Sequence, residues 1–289
     1  MSVNVIKTDV FWNRKPLMHT RFTPVRLFQA LSLTAKSVAI GLLLTANIQA
    51  QSIKSDDIAP FEVVFDVGNN LLSAGTAKLI LVQDGSLWSY SLTTAPRGVF
   101  KLAGKGYIAE SSTIQMFEEN GLVSLQPIIY QFRQDEERRR AVDASFDWTE
   151  KSITHTYRGN EVTEAFEEPV LDRLSATLLI MNALRNNFTE AELPIFDTGR
   201  VKQVLFINRG TEVLKTRIGD METIKVTNSN ASGGSRETTT WFAPQLDYLP
   251  VKIEHKKRGE LVARLSLISL ENRAAAIGLG EAQPLIELD

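Results

Sequence analysis

Arg140-Ala-Val-Asp-Ala-Ser-Phe-Asp-Trp148 reads as a β-strand. Val142, Ala144, Phe146 and Trp148 point one way, and Asp143, Ser145 and Asp147 point the other. A period of two with one apolar and one polar side means a strand buried on one face and wet on the other, the habit of antiparallel sheets. The same alternation recurs along the chain. Phe61-Glu-Val-Val-Phe-Asp-Val67 puts Phe61, Val63, Phe65 and Val67 on one face. Thr76–Val82 follows, then the turn pair Asp84-Gly85, then Trp88, Tyr90 and Leu92 alternating with Ser89, Ser91 and Thr93, which together predict a hairpin. Further strands are expected at Thr113–Glu118, Ile128–Arg133, Ser152–Tyr157, Lys202–Asn208, Glu212–Thr216, Glu222–Thr227, Glu237–Phe242, Val251–Lys256 and Leu261–Leu270. The run Ser229-Asn-Ala-Ser-Gly-Gly-Ser235 between two of them reads as a hairpin tip.

One segment departs from this pattern. Leu171, Leu174, Leu178, Met181 and Leu184 recur at helical spacing, Asp172 is placed to cap the first turn, and Pro169 stands just before it. The predicted helix, about 171–186, is apolar enough to lie against the concave side of a sheet. The expected fold is therefore mainly β: a long curved antiparallel sheet or partly open barrel with one helix on its concave face. Residues 51–272 read as a single domain, and residues 273–289, rich in small residues with Gly and Pro, as a poorly ordered tail.

The first fifty residues read as a secretory signal. A basic stretch precedes the apolar run Ser37–Thr45, about half the length a membrane-spanning helix needs, and Ile48 and Ala50 suit cleavage after Ala50. Met18 makes a better start than Met1, with Arg21, Arg26 and Lys36 as the basic region. Removing residues 1–50 takes away six Lys/Arg and one Asp/Glu, so the mature chain holds 32 − 6 = 26 basic and 34 − 1 = 33 acidic residues, a net charge of −7. That balance argues against nucleic acid and other polyanions as partners. No cysteine is present, which excludes lipidation on a mature N-terminal cysteine, thiol catalysis, disulfides and cysteine metal sites. No transmembrane span is expected in the mature chain.

Little in the mature chain announces chemistry. His155 and His255 lack metal-ligand spacing and read as ordinary strand residues, and no Gly-x-Ser-x-Gly elbow occurs. Gly98, Gly104 and Gly106 do not make the Gly-x-x-x-x-Gly-Lys-Ser/Thr of a phosphate loop and read as a bend or bulge in a strand. Asp135-Glu-Glu-Arg-Arg-Arg140 reads as a solvated hairpin turn. Trp241-Phe-Ala-Pro-Gln-Leu-Asp-Tyr-Leu-Pro250 reads as a strand–turn–strand corner whose aromatics suit either a core or the mouth of an apolar cavity.

Several of these pieces, taken in order, resemble the DUF3108 family of exported bacterial proteins, a domain of unknown function. They are Pro60–Val67, Ala74–Leu79, Phe146-Asp-Trp148, Leu171-Asp-Arg-Leu-Ser175, Gly219–Val226 and the corner Thr240–Ile253. The resemblance covers roughly residues 58–270. It implies an exported, periplasmic or envelope protein with a long antiparallel sheet, and it transfers no catalytic residue. Three readings follow. The first is a non-enzymatic periplasmic protein that binds or carries an apolar ligand such as a lipid. The second is an envelope scaffold or assembly factor acting on another envelope protein through exposed strand edges. The third is a hydrolase using carboxylates such as Asp143, Asp147 and Asp172. For ligand binding the candidates are Trp88, Tyr90, Phe146, Trp148, Trp241 and Phe242, all of which also suit a core. No catalytic residue, metal ligand or cofactor is expected.

Overall fold

The computed structural model describes residues 59–69, 72–102, 106–119, 122–134 and 141–271. The signal-like segment, the 135–140 turn and the 273–289 tail lie outside them. Fifteen strands form one sheet. In chain order they are β1 (Phe61–Gly68), β2 (Ser73–Asp84), β3 (Leu87–Pro96), β4 (Ile108–Glu119), β5 (Leu122–Gln134), β6 (Val142–Asp147), β7 (Ser152–Tyr157), β8 (Asn160–Ala165), β9 (Leu171–Asp172), β10 (Glu190–Phe196), β11 (Val201–Thr216), β12 (Gly219–Asn230), β13 (Arg236–Ala243), β14 (Leu249–Lys257) and β15 (Glu260–Glu271). Two helices interrupt them, α1 (Gly98–Leu102) and α2 (Arg173–Ala183). The spatial order runs from β8 down to β1, then from β15 down to β9. Two antiparallel meanders are thus joined where the first strand pairs with the last, and only β9–β10 is parallel.

Burial follows the alternation read from the sequence. Phe61, Val63 and Phe65 on β1 are buried and the residues between them are not, and β6 and β7 repeat the pattern. Register slips bend the ladder between β1 and β15, β4 and β5, β11 and β12, β13 and β14, and β14 and β15. Each such bulge increases local twist and lets a sheet of this width curl. At Arg209-Gly210 the slip lies within one sixteen-residue strand, so the two strands expected at 202–208 and 212–216 are one bent β11. Gly98 opens the short helix α1 rather than a bulge.

Helix α2 occupies the concave side. Leu174, Ala176, Leu178, Ile180, Met181 and Ala183 are all buried and share one core with β1–β5 and β10–β15. A helix apolar on nearly every side is stable only when enclosed, and each large aliphatic side chain removed from water contributes about 1.5–3 kcal/mol. The expected helix of 171–186 resolves into a short parallel strand, the α-helix and a closing 3₁₀ turn at Leu184–Asn186.

Adjacent residues of β10 serve different cores. Ile195 belongs to the main core, whereas Phe196 belongs to a second one with Tyr130, Val142, Ala144, Phe146, Ile153, Phe166 and Val170. Phe196 is fully buried, edge-on to Tyr130 (6.2 Å) and Phe146 (5.9 Å), and 5.2 Å from the His155 ring. The back of β10 therefore lies on the inner face of β5–β7: the open sheet is rolled so that one end overlaps the other, held by side-chain packing rather than by a hydrogen-bonded ladder. The turn after β10 confirms the overlap. Gly199 has φ +74°, and a Cβ there would sit 2.8 Å from Tyr157 of β7. Gly199→Ala should lower the unfolding free energy by about 2 kcal/mol from backbone strain and the clash, measurable by urea titration.

Candidate functional site

The rolled sheet gathers charge around the N-terminus of α2. Asp172 caps the helix: Oδ1 accepts from the amides of Leu174 (2.8 Å) and Ser175 (3.0 Å), and Oδ2 accepts from the Ser112 hydroxyl of β4 (2.5 Å). Ser175 closes the capping box, its hydroxyl accepting from the Asp172 amide. Asp172, Ser112 and Ser175 are wholly buried. Burial pushes the Asp172 carboxyl up to about 6, against the opposing pull of the Ser112 hydroxyl and the helix amides.

One residue on, Arg173 turns to Glu110 of β4, donating to both carboxylate oxygens, and its guanidinium lies 5.2 Å over the Phe132 ring. Glu110 also accepts from the Tyr130 hydroxyl (2.9 Å). Asp197, at the end of β10, accepts from Lys202 (2.7 Å) and stands 3.9 Å from Arg173. Burial alone would raise the Asp197 carboxyl, but Arg173 and Lys202 outweigh it and hold it below its ordinary value. These groups tie β4, β5, α2, β10 and β11 together. Each acid is engaged by a donor, so the cluster fixes where the helix starts and how the sheet overlaps; it presents no free acid–base pair to a substrate.

The six aromatic candidates do not converge. Trp88, Tyr90, Trp241 and Phe242 lie in the main core, and Phe146 and Trp148 in or against the second. Five of the six are 0–7% exposed. Tyr90 stacks edge-on with Phe61 at 5.8 Å. Trp241 donates to Glu212 (2.7 Å) and carries Lys252 over its ring at 4.2 Å, and its corner is packed by Leu246 and Leu249. Phe146 and Trp148 alone also line an open groove of about 560 Å³, with Gln115, Phe117, Gln126, Ile128, Ser145, Asp147 and Thr149.

The remaining sequence candidates take structural positions. Asp143 pairs with Arg133 (2.6 Å), and Asp147 accepts from the amides of Thr149 and Glu150 in a turn. Asp172 is the buried cap, so the three carboxylates proposed for hydrolysis serve separate local structures. His155 is buried on β7, with Nε2 3.7 Å from Glu164, and His255 lies on β14 with Nδ1 2.9 Å from the Thr238 hydroxyl. Among the described residues no group of three His, Cys, Asp or Glu is placed to hold a metal ion. The sequence reading missed Glu110 and Ser112 because it began their strand at Thr113, and without Glu110 it had no partner to give Arg173, which opens α2. The inward phase shared by Glu110, Ser112 and Ile114 was the available signal.

The architecture defines a class: a rolled antiparallel sheet enclosing one apolar helix. The sequence pattern described as "Protein of unknown function (DUF3108)" matches residues 61–265, and the chain belongs to that family. No curated protein matches. Among solved structures, the chain is similar to a β-barrel-like protein of a domain of unknown function, DUF1849, from Brucella abortus, with 8% identity, 76% of this chain and 99% of that chain covered and a TM-score of 0.49. It is also similar to a candidate exported protein with a YmcC-like fold from Bacteroides fragilis, with 10% identity, 76% and 100% coverage and a TM-score of 0.31. Among the described residues no helix is long and apolar enough to cross a membrane.

Proposed function

We propose that this chain is a non-enzymatic periplasmic protein that acts as a scaffold or assembly factor in the cell envelope by adding a partner's strand to its sheet. The observation that carries this reading is the edge strand β8. It ends the sheet order, and Asn160, Glu161, Val162, Thr163 and Ala165 are exposed. Residues 160–169 hold four glutamates (Glu161, Glu164, Glu167, Glu168) and no lysine or arginine. Charge complementarity therefore favours an extended, basic segment of another protein. The signal-like segment supports the periplasmic location. Carriage of an apolar ligand within the sheet is less well supported, because α2 fills that face.

The hairpin at Arg158-Gly159 sets which backbone groups of β8 are free. Both turn residues have positive φ, 55° and 79°, the two-residue turn that closes on a hydrogen-bonded pair, here Tyr157 and Asn160. Counting from that pair, Val162 and Glu164 bond to β7, while Glu161, Thr163 and Ala165 direct their N–H and C=O outward. Proline at 163 removes an outward donor and spares the ladder, an arrangement edge strands tolerate. A photo-crosslinker at Glu161 should capture a discrete envelope protein in living cells. A synthetic basic peptide from the captured protein should then bind the purified chain, and Thr163→Pro should abolish binding while changing stability by less than about 1 kcal/mol. Binding that persists in Thr163→Pro, or the lack of any discrete adduct, overturns the reading.

A further inference from the structure

We infer that the open groove between β4, β5 and β6 is a binding site for a neutral saccharide. The groove is separate from the β8 edge, and the inference does not depend on the scaffold reading. Its volume of about 560 Å³ lies within the range of small-molecule sites. What distinguishes it is the chemistry of its lining. Gln115 and Gln126 stand directly opposite each other on neighbouring strands, and Ser145 and Thr149 add hydroxyls. An amide both donates and accepts, as a hydroxyl does, so these four groups match a ligand rich in hydroxyls.

Charge narrows the choice. Among the described residues that line the groove, Asp147 is the one charged residue and there is no lysine, arginine or histidine. A phosphate or carboxylate ligand would meet a carboxylate and no cation. An acyl chain would cover the Gln115, Gln126 and Thr149 side chains without offering them a hydrogen-bond partner, while Ser145 keeps only its bond to the Thr154 carbonyl (3.4 Å). A sugar avoids both penalties, since its hydroxyls donate to Asp147 and exchange hydrogen bonds with the amides.

The apolar groups are placed for the other property of a sugar ring, its C–H face. Phe117 is 41% exposed, and Phe146 is buried in the second core beneath the groove. Trp148 is held in place: its indole N–H donates to the Pro127 carbonyl (2.7 Å), and its ring packs on Phe166 at 5.3 Å. Its polar atom is therefore spent on the protein, and the ring serves as a fixed surface. Asp147 is fixed too, Oδ1 being bound by the amides of Thr149 and Glu150, both at 2.9 Å. The pairing of β4 with β5 slips here: Thr113 pairs with Ile129 and Ile114 with Pro127, so Ile128 is the extra residue of a bulge that faces the groove. A bulge re-aims side chains and is favoured beside functional sites. A fixed indole face, a fixed carboxylate and a bulged floor reduce the ordering a site must undergo to bind a flexible, strongly hydrated ligand.

The test is saturation-transfer NMR on the full chain with maltose, cellobiose and the N-acetylglucosamine disaccharide as probes, each at millimolar concentration. Glucose 6-phosphate and decanoate report on the anionic and apolar alternatives. At least one neutral disaccharide should receive saturation at its ring C–H protons. Phe117→Ala and Gln126→Ala should each weaken it about tenfold, the effect of one lost contact of about 1.4 kcal/mol. Both side chains line an open groove, so the thermal midpoint of each variant should match the parent; Gln115→Ala provides a third variant. The inference is overturned if no neutral disaccharide receives saturation, if transfer is unchanged in all three variants, or if decanoate or glucose 6-phosphate binds in place of the sugars.

Discussion

Phe196→Ala should lower the unfolding free energy by about 3–5 kcal/mol, the cost of emptying an aromatic site in a packed core. The thermal midpoint should fall by roughly 10 °C for a domain of this size. The loss should be local in a particular way. Phe196 packs against Tyr130 of β5, Phe146 of β6 and the ring of His155 on β7, and its neighbour Ile195 faces the other core. Removing the ring loosens the overlap without touching the ladders within either meander. Amide exchange should accelerate in β5–β8 and β10, while β1–β3 and β12–β15 keep their protection. A uniform rise across all strands would mean that the overlap is not an independent seam.

The second large effect concerns Asp172. Its folded carboxyl titrates at about 6 against an ordinary value of 3.8. The native state thus binds a proton more tightly than the unfolded chain, and this residue's contribution to stability rises as pH falls from about 6 to about 4. Above that window the buried charge costs on the order of 3 kcal/mol. Asp172→Asn keeps an acceptor for the helix amides and lets the Ser112 hydroxyl accept instead of donate. At neutral pH the variant should therefore equal or exceed the parent in stability, and its advantage should vanish by about pH 4. Asp172→Ala removes the charge and the cap together, orphaning two helix amides and the Ser112 hydroxyl. It should lie about 2–4 kcal/mol below the asparagine variant at every pH. Equal stability of the two variants would show that the cap contributes nothing. The absence of any pH-dependent difference between Asn and Asp would show that the carboxyl is not perturbed.

Period-two alternation made most of this fold legible. Ser152–Tyr157 is β7 to the residue, and the 171–186 helix with its Asp172 cap sits where its spacing placed it. The strands that alternation left out are instructive. β10, Glu190-Ala-Glu-Leu-Pro-Ile-Phe196, alternates inward Ala191, Leu193 and Ile195, but Pro194 and the closing pair Ile195-Phe196 obscure the period. That pair is apolar on both sides because the strand separates two cores. β8 was invisible because its residues face solvent on both sides, so it has no buried face to betray it. The aromatic candidates show the opposite difficulty. Trp88, Tyr90, Trp241 and Phe242 carry the signature of a binding surface and of a core alike, and only their packing places them in the core. The groove escaped notice because Gln115, Gln126, Ser145 and Thr149 come from three strands and a turn whose register no local pattern encodes.

The pairing of β1 with β15 has a kinetic consequence. Residues 62–68 find their partners at 264–271, so the middle of the sheet closes only after both meanders exist. Contacts so distant in sequence slow folding, because the entropy of closing the loop is spent before the ladder forms. Until β15 arrives, β1 offers an unpaired edge of alternating Phe and Val, the kind of segment that joins other chains when left open. Truncation before residue 260 should therefore yield aggregates rather than a smaller folded domain, and the slowest refolding phase of the intact chain should be the one in which its two ends meet.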